Sequence, residues 1–85
     1  MVVTLELFTS KNCPYCPKAV TTAKEAVKEL GNDVNYKHFD VDENKDKVKE
    51  YQIMSVPTIV VNGRVAFRDA PEPKRLIAKL KRNIK

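Results

Sequence analysis

Both cysteines of this 85-residue chain fall in one tetrapeptide, Cys13-Pro14-Tyr15-Cys16. The tetrapeptide sits between an apolar run of strand character, Val2 to Phe8, and a long run of helical periodicity, Pro17 to Leu30. Two thiols three residues apart at a strand-to-helix passage limit what the chain can build. One sulfur is placed to attack and the other to resolve, and the remaining sequence is expected to hold, tune and frame that dithiol.

The length gives room for one domain, residues 1–85, and one modest core. Hydrophobic residues make up 42% and charged residues 32%, a globular rather than a disordered composition. No apolar run approaches the roughly 18 residues of a membrane span. The stretch Met1-Val2-Val3-Thr4-Leu5-Glu6 has no basic patch, long apolar region or small-residue cleavage site, so it does not read as a secretory signal. The expectation is a cytoplasmic protein, where a lone cysteine pair is catalytic or metal-binding rather than structural. The net charge of +5 raises the question of a nucleic-acid partner. Lys74, Arg75, Lys79, Lys81, Arg82 and Lys85 all lie in the last twelve residues with no acid among them. Basic side chains suit a helix carboxyl end, and the rest solvate an exposed face, so no nucleic acid and no membrane is expected as partner.

In chain order, Val3, Leu5 and Leu7 share one face of the first strand, with Thr4 and Glu6 on a less buried second face. The polar loop Thr9-Ser10-Lys11-Asn12 leads into the dithiol. From Pro14 to Leu30 the positions Cys16, Ala19, Val20, Ala23, Ala26, Val27 and Leu30 form one helical stripe. Pro14 suits the first turn, Pro17 still falls in it, and Gly31 closes the helix where the chain can turn left-handed. Val34 to Val41 reads as a second strand. Asp42-Glu43-Asn44 offers caps for a short helix, Lys45 to Tyr51, with Val48 and Tyr51 inward. Thr58-Ile59-Val60-Val61 is a short buried strand. Asn62-Gly63 is a strong hairpin signal, and Arg64 to Arg68 returns antiparallel. After Asp69-Ala70-Pro71-Glu72-Pro73, a last helix runs to about Asn83, with Leu76, Ile77, Leu80 and Ile84 on one face. The order is βαβαββα. A parallel pair with a right-handed crossover plus an antiparallel hairpin gives an α/β fold: a four-stranded mixed sheet with three helices.

The thiolate is the nucleophile in disulfide exchange. Cys13 lies at the mouth of the long helix, where unpaired N–H groups and the dipole favour negative charge, and Lys11 adds positive potential. Cys16, one turn deeper on the buried stripe, suits a resolving thiol. Two other readings of the pair stay open on the residues alone. A zinc site would use both cysteines and His38, short of the four ligands a structural site takes. A static disulfide would close only a tiny loop and gain little.

With Cys13-Pro14-Tyr15-Cys16 after the first strand and Ser55-Val56-Pro57-Thr58 before the third, the chain resembles the thioredoxin family. The tetrapeptide is similar to that of glutaredoxins, while Val41-Asp42-Glu43-Asn44 and Val56-Pro57-Thr58 are more thioredoxin-like. Nearly all 85 residues resemble the small glutaredoxin-like thioredoxins of archaea. The resemblance implies a monomeric thiol–disulfide oxidoreductase that reduces disulfides in cytosolic proteins for redox homeostasis. Cys13 would attack and Cys16 resolve, with no cofactor beyond a redox-active Cys13–Cys16 disulfide. An unidentified reductase or low-molecular-weight thiol would recharge it. It further implies a cis Pro57 facing the dithiol, with Val56 offering its backbone to an extended substrate. Pro14 and Tyr15 would shape the site, Tyr15 flanking glutathione or covering the sulfurs, and Asp69 and Ala70 would line the substrate wall.

Some positions depart from the family pattern. Asn12 replaces the tryptophan thioredoxins carry before the first cysteine. Arg68-Asp69-Ala70-Pro71 stands where glutaredoxins have Gly-Gly and an acid for glutathione. Asp69 would repel acidic partners, or oppose thiolate formation if close to Cys13. Gln52 replaces a frequent glycine, at a strain on the order of 1 kcal/mol if left-handed. Glu6 is a candidate proton acceptor for Cys16, against the simpler reading of a half-exposed charge on the open sheet face. A glutathione-dependent glutaredoxin, or a carrier of an iron–sulfur cluster bridging two subunits, is the alternative function.

Overall fold

The computed structural model describes residues 2–84; Met1 and Lys85, which belong to the amino-terminal stretch and the basic run read above, lie outside the described residues. The elements are β1 (Val3–Thr9), α1 (Cys16–Leu30), a 3-10 turn (Gly31–Asp33), β2 (Val34–Asp40), α2 (Lys45–Glu50), β3 (Thr58–Val61), β4 (Arg64–Phe67) and α3 (Pro73–Asn83). The strands form one mixed sheet in the order β2-β1-β3-β4. β1 is parallel to β2 and antiparallel to β3, and β4 is antiparallel to β3. The expected βαβαββα order is present, with the single 3-10 turn added.

Alternation along β1 sends Val3, Leu5 and Leu7 to one face, where they meet Ala19, Ala23 and Ala26 of α1 and Leu76 and Leu80 of α3. The run of alanines on α1 lets helix and sheet approach closely. The second face differs from the sequence expectation of a partly open surface. Phe8 is fully buried there and Glu6 is only 5% exposed. Phe8 stacks on Phe39 at 5.1 Å and meets the edge of Tyr51 at 5.8 Å, so the segment just after α2 closes this side. Periodicity shows that a strand has two faces; it cannot show that a six-residue helix will be carried over the polar one.

Local chemistry accounts for the boundaries, with three corrections. Tyr15 is the N-cap of α1 and Pro17 lies in the first turn, so Pro14 stands before the helix rather than in it. Gly31 turns with φ +59°, as its position suggests. Asn44 precedes α2 without a side-chain cap; its Nδ2 instead donates to the Asp40 carbonyl at 2.9 Å, bracing the turn after β2. Ile84 lies beyond α3 as its C-cap, so only Leu76 and Leu80 of the proposed stripe are fully buried helix residues. Asn62 (φ 50°) and Gly63 (φ 82°) both take the positive φ that a tight two-residue hairpin turn demands.

Gln52 also has positive φ, 55°, just after α2. A β-carbon there costs roughly 1–2 kcal/mol, while glycine loses about 0.5–1 kcal/mol more chain entropy on folding. Gln52→Gly is therefore expected to raise stability by about 0.5–1 kcal/mol, read as a higher urea midpoint. Among the described residues, no helix is long and apolar enough to cross a membrane.

Candidate dithiol site

β1 ends at Thr9, and the chain turns through Ser10 to Tyr15 before α1 begins. The Cys13 N–H donates to the Ser10 carbonyl at 3.3 Å, which tightens this turn. Cys13 and Cys16 are joined as a disulfide, with Cα atoms 5.4 Å apart. Their surroundings differ. Cys13 is half-buried, whereas Cys16, the first residue of α1, is 5% exposed. The first turn of α1 contains no acidic residue, so nothing there offsets the positive end of its dipole.

The Val56–Pro57 peptide is cis, the isomer that the resemblance implied. Pro57 is buried and Val56 half-buried. The Thr58 hydroxyl donates to the Ser55 carbonyl at 2.7 Å, closing the turn around this peptide. A groove of about 310 Å³ runs beside it, lined by Tyr15, Lys18, Val56, Pro57, Arg68, Asp69 and Ala70. Five residues proposed from sequence (Tyr15, Val56, Pro57, Asp69 and Ala70) thus meet on one groove. Tyr15 is 66% exposed at its rim. Pro14 and Lys11 are exposed in the preceding turn, outside the groove lining.

Lys18 and Arg68 are groove residues the sequence reading missed. Lys18 lies one helical turn inside α1, and that spacing was the available signal; Arg68 follows β4 and reaches the groove only through the fold. Lys18 pairs with the exposed Glu72 at 3.4 Å, across the surface. Beneath, the buried Thr22 hydroxyl donates to the Pro71 carbonyl at 2.9 Å and fastens the 68–71 wall to α1. A second groove of about 260 Å³ shares Val56 and is lined by Ser10, Val41, Val48, Ile53, Met54 and Ser55. Met54, 88% exposed, stands at its edge.

Glu6 overturns the reading of a half-exposed charge. It is buried, accepts a hydrogen bond from the Tyr51 hydroxyl at 3.0 Å, and has Lys47 Nζ 3.9 Å away. These partners come from α2 and its C-cap, on the face opposite α1, so the sheet stands between Glu6 and Cys16. Burial raises the Tyr51 hydroxyl above its ordinary pKa of 10.0, reinforced by its hydrogen bond to Glu6 and the charges of Glu6 and Glu50. Desolvation raises Tyr36 in the same direction. A tyrosine whose folded pKa exceeds its unfolded one contributes stability that is present below about pH 10 and lost as pH rises through the folded value. The urea midpoint should therefore fall above about pH 10, and fall less steeply in Tyr51→Phe.

His38 is exposed and holds Thr9 Oγ1 at 2.7 Å. Among the described residues, no group of three or more His, Cys, Asp or Glu side chains is placed to hold a metal ion.

The profile of the thioredoxin-domain family matches residues 3–81. The chain is 43% identical over 82 residues to a thioredoxin of Methanocaldococcus jannaschii, covering 96% of each. It is also 43% identical over 76 residues to a probable thioredoxin of Methanothermobacter thermautotrophicus, covering 89% of each. In fold it is similar to a malarial protein of known structure, with TM-score 0.87, 24% identity and full coverage of both chains. It is likewise similar to thioredoxin-2, a component of the malaria parasite protein secretion machinery, with TM-score 0.86, 24% identity, and coverage of 95% and 82%. A cysteine pair at the head of α1 on this fold defines the thiol–disulfide oxidoreductase class. The chain belongs to the thioredoxin-domain family.

Proposed function

We propose that this protein reduces disulfides in other proteins by dithiol exchange, with Cys13 as nucleophile and Cys16 as resolving thiol. The observation that carries this reading is the contrast within the pair: Cys13 is half-buried just before α1 and Cys16, its first residue, is 5% exposed. In the first step the Cys13 thiolate attacks a substrate sulfur, forming a mixed disulfide and expelling the other substrate sulfur as thiolate. In the second, Cys16 loses its proton and attacks Cys13 Sγ. The Cys13–Cys16 bond forms, the mixed disulfide breaks, and the electron pair leaves on the substrate sulfur that Cys13 had attacked. The unquenched amino end of α1 favours the thiolate at Cys13.

Val56 supplies the backbone edge along which an extended substrate pairs, and buried Pro57 keeps that edge against the dithiol. Pro14 and Lys11 shape the turn that presents Cys13. Tyr15, Asp69 and Ala70 border the substrate, Asp69 biasing the groove against acidic residues. The protein acts as a cytoplasmic monomer, needs no further cofactor, and serves redox homeostasis. A second reading rests on Lys18 and Arg68 in the groove: these cations suit the carboxylates of a small thiol such as glutathione, which would make that thiol the electron donor. The deciding experiment is insulin-disulfide reduction with recharging by a thioredoxin reductase or by glutathione. Turnover with the reductase alone supports the first reading. Turnover with glutathione alone supports the second, and none with either sinks both.

A further inference from the structure

The basic carboxyl-terminal run, read above as a solvated face, is more organised than that. Arg75, Lys79 and Arg82 line a groove of about 350 Å³ between α3 and β4, whose other wall includes Ala66 and Phe67. The three cations follow one another at helical steps of four and three, so they share one side of α3. Neither ion pair among the described residues, Lys18–Glu72 or Lys47–Glu6, involves them. Arg75 stands in the first turn of α3, where the dipole disfavours a cation, and its guanidinium lies 5.4 Å from the centre of the Phe67 ring. The helix dipole therefore accounts for Arg82 near the carboxyl end but not for Arg75. β4 is an edge strand, so no strand among those described covers its outer side.

We propose that this groove docks an extended acidic segment of a partner protein, with acids at alternate positions. On a helix rising about 1.5 Å per residue, Arg75 and Lys79 are roughly 6 Å apart along the axis, close to the roughly 6.6 Å between alternate side chains of an extended chain. Carboxylates facing α3 reach Arg75, Lys79 and Arg82, and the intervening side chains face Ala66 and Phe67. A single-stranded nucleic acid fits less well, because base binding needs free aromatic faces and the ring here is already covered by Arg75. An anionic membrane fits less well too, since Leu76 and Leu80, the apolar side of α3, are buried in the core. Phe67 of this groove is followed directly in sequence by Arg68 of the groove beside the Val56–Pro57 peptide.

The probe is a blocked pentapeptide of alternating glutamate and valine, titrated at low salt into the uniformly labelled protein and followed by amide chemical shifts. The expected result is saturable shifts confined to residues 64–67 and 74–83. Binding should weaken at least tenfold when R75Q, K79Q and R82Q are combined, and at least tenfold when glutamine replaces glutamate in the peptide, a control that needs no altered protein. Scattered shifts, or affinity unchanged by either alteration, would overturn the proposal. So would tighter binding at these residues by an eight-residue oligothymidylate or by phosphatidylglycerol vesicles. The titration does not involve the cysteines, so its failure leaves the dithiol reading untouched.

Discussion

Cys13→Ser is expected to reduce insulin-disulfide reduction to background, a loss on the order of a thousandfold or more. The hydroxyl that replaces the thiol neither ionises near neutral pH nor forms the sulfur–sulfur bond on which the exchange depends. Cys16→Ser should behave differently. Cys13 still attacks, but no second sulfur displaces it, so the mixed disulfide accumulates and appears as a covalent adduct by non-reducing electrophoresis or intact mass. The asymmetry is what the structure motivates, since Cys13 is half-buried whereas Cys16 is 5% exposed and less open to an incoming sulfur. Turnover by Cys13→Ser, or equal adduct yields from the two variants, would reverse or remove the assigned roles.

Phe8→Ala is expected to carry the largest stability cost, about 3–5 kcal/mol. Phe8 has no exposed surface, stacks on Phe39, and meets the edge of Tyr51. Lys47 Nζ lies 5.1 Å from the centre of the Phe39 ring on the same side, so truncation opens a cavity beneath both α2 and β2. Against a total stability of about 5–15 kcal/mol for a domain, that loss unfolds a large share of molecules on mild heating. The check is urea denaturation, with a lower midpoint and an unchanged slope. A cost below about 1 kcal/mol would mean that the second face of the sheet is not the packed surface described here.

Much of this was legible before any fold was known. The alanine stripe of α1, the Asn62-Gly63 turn and the breaks at Gly31 and Pro71–Pro73 are local signals, set by steric limits on a few neighbouring dihedrals. The strand–helix–strand order then left one handedness for the crossover. The reading slipped where the answer depended on residues distant in sequence. Glu6 looked half-exposed because nothing near it predicts that Tyr51, forty-five residues on, donates to it. Asn44 looked like a cap because its residue type is right; the carbonyl of Asp40 held its amide instead.

The sequence by itself determined the dithiol, its place between strand and helix, and the order of the elements, because each rests on short-range chain geometry. Tertiary structure alone decided that Glu6 is buried and separated by the sheet from Cys16. It alone brought Lys18 and Arg68, fifty residues apart, into the groove with the Val56–Pro57 peptide. The physical reason is that burial and pocket membership are properties of surfaces meeting. A strand's alternation or a helix's stripe specifies only one of the two surfaces, and the packing of the whole chain supplies the other.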